Sequence, residues 1–184
     1  MAINEIPATN EAYYREIEAS DPPKGIEVDT PRGKETDNWE IEAKNIFEAK
    51  FPSKIIRAPK LSLIDWIIVK NGKLAGISEH KTRLNITPND MLIKFGNKWI
   101  LSANKIEGGK LIASMLNVDL WGTIYFLDTA ELMLIRLWSS NLNDWLVDIE
   151  YKETETQKGI NGGKATRLNA FITLPPNPLI ISKD

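Results

Sequence analysis

Two apolar, β-rich runs meet at Asn71-Gly72, in LSLIDWIIVK and KLAGISEHK. Asn-Gly between such runs is the strongest short-range signal for a β-hairpin, because both turn residues accept a positive φ. The spacing therefore predicts strands over Leu61 to Lys70 and Lys73 to Lys81. Within them stand two acids, Asp65 between Ile64 and Trp66, and Glu79 after Ile77. Acidic side chains are depleted in strands and are almost never buried unless paired. Two carboxylates on adjacent strands also repel, so the hairpin calls for a cation. A hard divalent ion with oxygen ligands answers that need. Glu79 and Lys81 are two residues apart, so their side chains leave the same face, and His80 leaves the other. His80 is thus read as a packed or surface residue rather than a base.

Register decides whether the two acids meet. A three-residue loop, Asn71-Gly72-Lys73, sets Asp65 opposite Glu79 with Cβ atoms about 4.5–5.5 Å apart. A two-residue Asn-Gly loop sets Asp65 opposite Ser78 and turns Glu79 away. The metal reading requires the longer loop or an equivalent bulge.

Around the hairpin the chain reads as alternating helix and strand. A short amphipathic helix is expected over Pro7 to Ser20. Residues 21 to 37, with three prolines, two glycines and many charges, are expected to form a surface linker. The expected domains are an N-terminal helix and linker arm over 1–37 and a core over 38–184. From Asp37 the pattern is helical, with Trp39, Ala43, Ile46, Phe47 and Lys50 on one face and Pro52 as the stop. Residues 54 to 59 are expected to form a short strand. Residues 82 to 90 read as a polar loop. Trp99 to Asn117 reads as a short strand or turn and then a helix. Within that helix Gly108-Gly109 costs about 1 kcal/mol per glycine. Strands are expected over Trp121 to Asp128, Glu131 to Trp138, Asp144 to Tyr151 and Arg167 to Pro175, the last closing the sheet. A mobile polar loop is expected over 154 to 166.

Composition removes several chemistries. The 184 residues contain no cysteine and one histidine, which excludes disulfide scaffolds, thiolate zinc sites and thiol nucleophiles. The formal net charge of -2 excludes a strongly basic coat, though not a local basic patch. No apolar run has the length of a membrane span, and no charged-then-apolar leader opens the chain. The expectation is a cytoplasmic protein.

The stretch IDWIIVKNGKLAGISEHK, with Asp65 and the E-x-K of Glu79 and Lys81, resembles the PD-(D/E)XK nuclease superfamily. An acidic helix precedes it and a helix follows it, in the order that family shows. Ile64 stands where the family name has proline. The likeness covers about residues 38 to 127, and the later LSANKIEGGKLIASMLNV is similar to the helix following the motif in phage and resolvase-like members. It implies an α/β protein of restriction-endonuclease-like fold, a mixed sheet flanked by helices with an N-terminal arm. It also implies Mg²⁺-dependent cleavage of DNA phosphodiesters, with Mn²⁺ able to substitute. Asp65 and Glu79 would hold the metal and Lys81 would position or polarise the attacking water. The family often adds a first-helix glutamate, for which Glu42 is chosen and Glu40 stands next, whereas Glu48 points away. Lys105 is expected to approach DNA, with Lys94, Lys98 and Lys164 as further phosphate contacts. Pairing of two copies to cut both strands is a further expectation. The rival is a non-catalytic nucleic-acid-binding or assembly module that keeps the same fold.

Overall fold

The computed structural model describes residues 31–59, 62–155 and 166–183. The chain divides between Asp37 and Asn38 into two compact units. The helix expected over Pro7 to Ser20 lies outside the described residues.

Helix α1 (Pro31–Lys50) begins six residues before the expected start, so the end of the anticipated linker is helical. Proline suits this position, because an N–H is unpaired in the first helical turn anyway. Three antiparallel strands follow, β1 (Ser53–Arg57), β2 (Trp66–Lys70) and β3 (Lys73–Arg83). Strand β2 is shorter than anticipated. Residues 82 to 90 are not a plain loop: Thr82 and Arg83 extend β3, and Pro88 opens helix α2 (Pro88–Ile93). Thr87 and Asp90 cap α2 reciprocally: Thr87 Oγ1 accepts from Asp90 N at 3.1 Å, and Asp90 Oδ2 accepts from Thr87 N at 3.0 Å. Then come β4 (Lys98–Ser102), α3 (Ala103–Leu116), β5 (Asp119–Phe126) and β6 (Glu131–Ser139). Asn117, at φ 50°, ends α3 in the left-handed conformation that asparagine tolerates.

The principal sheet has seven strands in the order β1-β2-β3-β5-β6-β10, with β7 (Asp144–Trp145) beside β6 and β10 (Leu179–Ser182) at the edge. Strands β3 and β5 run parallel and the other pairs antiparallel, so the sheet is mixed. The parallel step needs a crossover, which α3 supplies. Two expectations change here. The run Asp144 to Tyr151 breaks into β7 and β8 (Ile149–Glu155). The strand at Arg167, β9 (Thr166–Thr173), pairs with β4 and β8 in a second, three-stranded sheet instead of closing the first.

Both faces of the principal sheet are covered. On one, Ala43, Ile46 and Phe47 of α1 pack on Ile55, Trp66, Ile68 and Tyr125. On the other, Ile106 and Ala113 of α3, with Trp99, Leu101 and Ile172 of the small sheet, pack on Ile77, Leu120 and Ile124. Coverage on both sides explains why β6 is almost continuously apolar instead of alternating. No helix among the described residues is long and apolar enough to cross a membrane.

Candidate active site

The hairpin turn is the two-residue form. Asn71 (φ 53°) and Gly72 (φ 71°) both take positive φ, and Lys70 pairs with Lys73. That register alone would turn Glu79 away from Asp65. The register shifts, however, between Ile68, which pairs with Gly76, and Val69, which pairs with Leu74. Ala75 is the extra residue of a β-bulge. Beyond it Trp66 faces Ser78, and Asp65 comes beside Glu79. The bulge thus does what a three-residue loop would have done.

Asp65 lies one residue before β2, where its side chain extends the ladder: Oδ2 accepts from the backbone N–H of His80 at 2.8 Å. Its Oδ1 accepts from Lys105 Nζ at 3.0 Å, and the same ammonium stands 3.2 Å from Glu79 Oε2. One cation therefore bridges the two carboxylates. Lys81 Nζ lies 2.9 Å from Glu79 Oε1. Glu79 is 1% exposed, whereas the Lys81 side chain is 39% exposed and the most open of the four. The buried Glu79 oxygens have ion-pair distances to both ammoniums but no aligned hydrogen bond.

The two acids respond oppositely to this setting. Burial pushes Glu79 up, and the neighbouring Asp65 charge adds to it, outweighing Lys81 and Lys105. Burial also pushes Asp65 up, but Lys81, the His80 N–H and Lys105 together hold it below the usual carboxylate value. Burial works against the Lys105 ammonium, yet Glu79 and Asp65 raise its pKa. Such divergence between close groups is common at functional sites.

Glycines bring the walls of the site close. A side chain at Gly108 or Gly109 would press on Leu63 or Leu120, so the glycine pair lets α3 lie tightly beside the segment that carries Asp65. Gly122 pairs with Glu79 in the sheet, and the fully buried Trp99 ring lies directly over it. Gly122→Ala drives a methyl group into that ring and is expected to destabilise the fold by about 1–3 kcal/mol. Chemical denaturation measures this; an unchanged midpoint would show that the ring can shift freely.

The structure brings Asp65, Glu79, Lys81 and Lys105 together. Lys105, anticipated as a DNA contact, touches the acids directly. It does not bring Glu42 to them. Strand alternation sends Glu79 and Lys81 to the α3 side of the sheet and Ser78 and His80 to the α1 side. Glu42 belongs to α1, where it hydrogen-bonds Tyr125 and lies 3.9 Å from Lys183. The Tyr125 phenol, desolvated and beside that carboxylate, is pushed up to about 12. Glu40 is equally remote in role, accepting from Arg57 at 2.9 Å and from the Trp66 indole at 2.9 Å. Nor does Glu48 point away, for it accepts from Ile55 N at 2.7 Å. Glu40, Glu42 and Glu48 all anchor α1 to its own side of the sheet.

The remaining lysines go to separate partners. Lys94 pairs with Asp90, and Lys98 donates to Thr173 Oγ1. Lys164 lies outside the described residues. His80 is buried, stacked 4.4 Å from Trp66 and 2.9 Å from Thr123 Oγ1 through Nδ1.

No group of three or more histidine, aspartate and glutamate side chains arranged for a metal occurs among the described residues. A pair of carboxylates still suits Mg²⁺, which keeps several of its waters and is often held by one or two acids. The two buried oxygens of Glu79 without aligned donors fit that requirement. No protein-family model matches the chain, and no curated protein matches it.

Proposed function

We propose that this protein is a divalent-metal-dependent nuclease that hydrolyses DNA phosphodiester bonds, a phage- or resolvase-like relative of the PD-(D/E)XK superfamily. One observation carries the reading: a bulge in the hairpin sets Asp65 and Glu79 on one face with a single ammonium shared between them, and with Lys81 alongside. The order of helix, hairpin, helix and parallel strand around that face supports it.

Asp65 and Glu79 are the residues that would hold Mg²⁺ or Mn²⁺. Bound there, the ion supplies Lewis-acid polarisation of a phosphoryl oxygen and a water of lowered pKa. The chain's own groups do the rest. Lys81, the most open cation of the cluster, adds positive charge where the phosphoryl oxygens gain negative charge. The backbone N–H of His80 fixes the Asp65 carboxylate. Glu79 pairs with Gly122 in the sheet and its side chain is buried, which fixes the second carboxylate beside the first. In the hydrolysis a water oxygen bonds to phosphorus, one ester P–O bond breaks, and the leaving oxygen takes the proton released by the water.

A second reading also has an observation behind it. Two ammoniums already balance two carboxylates, as a purely structural ion-pair cluster in a binding or assembly module would require. Calorimetric titration with Mn²⁺ separates the two. The nuclease reading expects saturable binding, weakened at least about tenfold in Asp65→Asn, as the loss of a direct ligand should exceed the 10–100-fold effect of an outer-shell change. No binding by the wild-type protein, together with no DNA cleavage in Mg²⁺ above an EDTA control, would leave the module reading.

A further inference from the structure

Strand β3 carries a third charge on the face of the candidate site. Glu79, Lys81 and Arg83 alternate onto the α3 side, each pair about 7 Å apart along the strand. Arg83 opens into a cleft of about 360 Å³, within the range of small-ligand sites. Lys98, Phe95, Phe171, Met91 and Ile100 complete much of its wall.

Two features single the cleft out. The first is an unbalanced cation. Arg57 and Arg136 each meet a carboxylate, at 2.9 and 2.7 Å. The Arg83 guanidinium, although half-buried, meets none among the described residues, and burial alone lowers its pKa with no nearby charge opposing. Charges removed from water are ordinarily paired, because desolvation is costly. The second feature is an aromatic rim. Phe95 is 54% exposed at the cleft, and Phe171 lies opposite Lys152 in a cation-π contact of 5.4 Å. An anion attached to a flat apolar group satisfies both, and a nucleotide is such a group.

We infer that this cleft, on the same side of the sheet as the Asp65–Glu79 pair and beyond Lys81, is a nucleotide subsite in which Arg83 takes a phosphate and Phe95 stacks on a base of single-stranded DNA. The inference rests on the nuclease reading for its substrate class. It specifies an unpaired strand because a base inside a continuous duplex offers no free face to Phe95.

The test is fluorescence anisotropy in EDTA, using the full chain with an end-labelled oligodeoxythymidylate and a duplex of equal length. The wild-type protein should bind the single strand more tightly. Arg83→Gln should weaken that binding about tenfold or more, and Phe95→Ala about fivefold or more, the low end of one lost base stack. Thermal midpoints should hold, because Arg83 has no ionic partner among the described residues to orphan and Phe95 is a surface side chain. Unchanged affinity in both variants, or no wild-type preference for the single strand, would overturn the subsite. If inorganic phosphate displaces the oligonucleotide and Phe95→Ala is silent, the cleft is an anion site and the nucleotide assignment fails. Cleavage in Mg²⁺ is scored separately. Weakened binding without any wild-type cleavage keeps the subsite and removes the nuclease, whereas cleavage with unaltered affinity does the reverse.

Discussion

If the protein is the proposed nuclease, Lys81→Ala is expected to lower Mg²⁺-dependent cleavage of DNA by at least about 100-fold, the scale set by removing one preorganised donor from a developing oxyanion. The expectation follows from where the four charged groups sit. Lys105 is held between both carboxylates, 3.0 and 3.2 Å away, and is committed to balancing them. Among the described residues Lys81 pairs only with Glu79, and it is the more exposed ammonium, so it is the one placed to reach a phosphate. Losing it leaves Glu79 paired with Lys105, and the fold should survive. Lys81→Met, which keeps the aliphatic stem, controls for packing. Initial rates on plasmid and linear DNA, each against EDTA, provide the measurement. Wild-type rates in both variants would remove Lys81 from the chemistry and with it the main support for an E-x-K nuclease.

Acid is expected to destabilise this protein through His80, by about 3 kcal/mol between pH 7 and pH 4. In the unfolded chain the imidazole titrates near 6.5. In the fold, burial pushes it down to about 3; the Asp65 charge pulls the other way, and Lys81 and Arg57 add to the lowering. Between those two values the unfolded chain takes up a proton that the folded one refuses. Stability is therefore whole above about pH 6.5 and falls by about 1.4 kcal/mol for each unit below it. Asp65, with its lowered pKa, loses further stability only at lower pH, as its folded value is crossed. Glu79, raised, acts in the opposite sense and gains stability as it takes up its proton. The contribution of His80 is isolated by comparison with His80→Gln. Urea midpoints of the two proteins should converge as the pH falls from 7 to 5. Parallel curves would mean that the ring is protonated in the folded state despite its stacking on Trp66.

Local signals are legible in the chain where backbone chemistry sets them. Asn71-Gly72 marks a turn because both residues accept positive φ, and the turn is there. The stripe Ala43, Ile46 and Phe47 marks the buried face of α1, and those side chains are buried. The pairing of Asp65 with Glu79 is less legible. It hinges on Ala75, an ordinary residue whose bulge has no sequence signature, and the need for it came from the chemistry of two acids in apolar strands. Glu42 shows the opposite limit. Helical periodicity says which side of a helix is apolar, but not which side of a sheet that helix will cover. Lys105 likewise reaches the acids only because Gly108 and Gly109 let α3 lie close to Leu63 and Leu120, and in the chain they read only as weak helix formers. Arg83 is not legible in the chain, because nothing in TRLNIT says that its guanidinium meets no carboxylate among the described residues.

By itself the chain determined the hairpin, the apolar faces, the exclusion of thiol chemistry and the E-x-K spacing. Each of these depends on residues within a few positions of one another, where φ preference and side-chain period act directly. Tertiary structure alone decided that β9 joins β4 and β8 in a second sheet, that α1 lies across the sheet from the acids, and that Lys105 bridges them. Those outcomes depend on how distant segments share buried area, and no local preference encodes that.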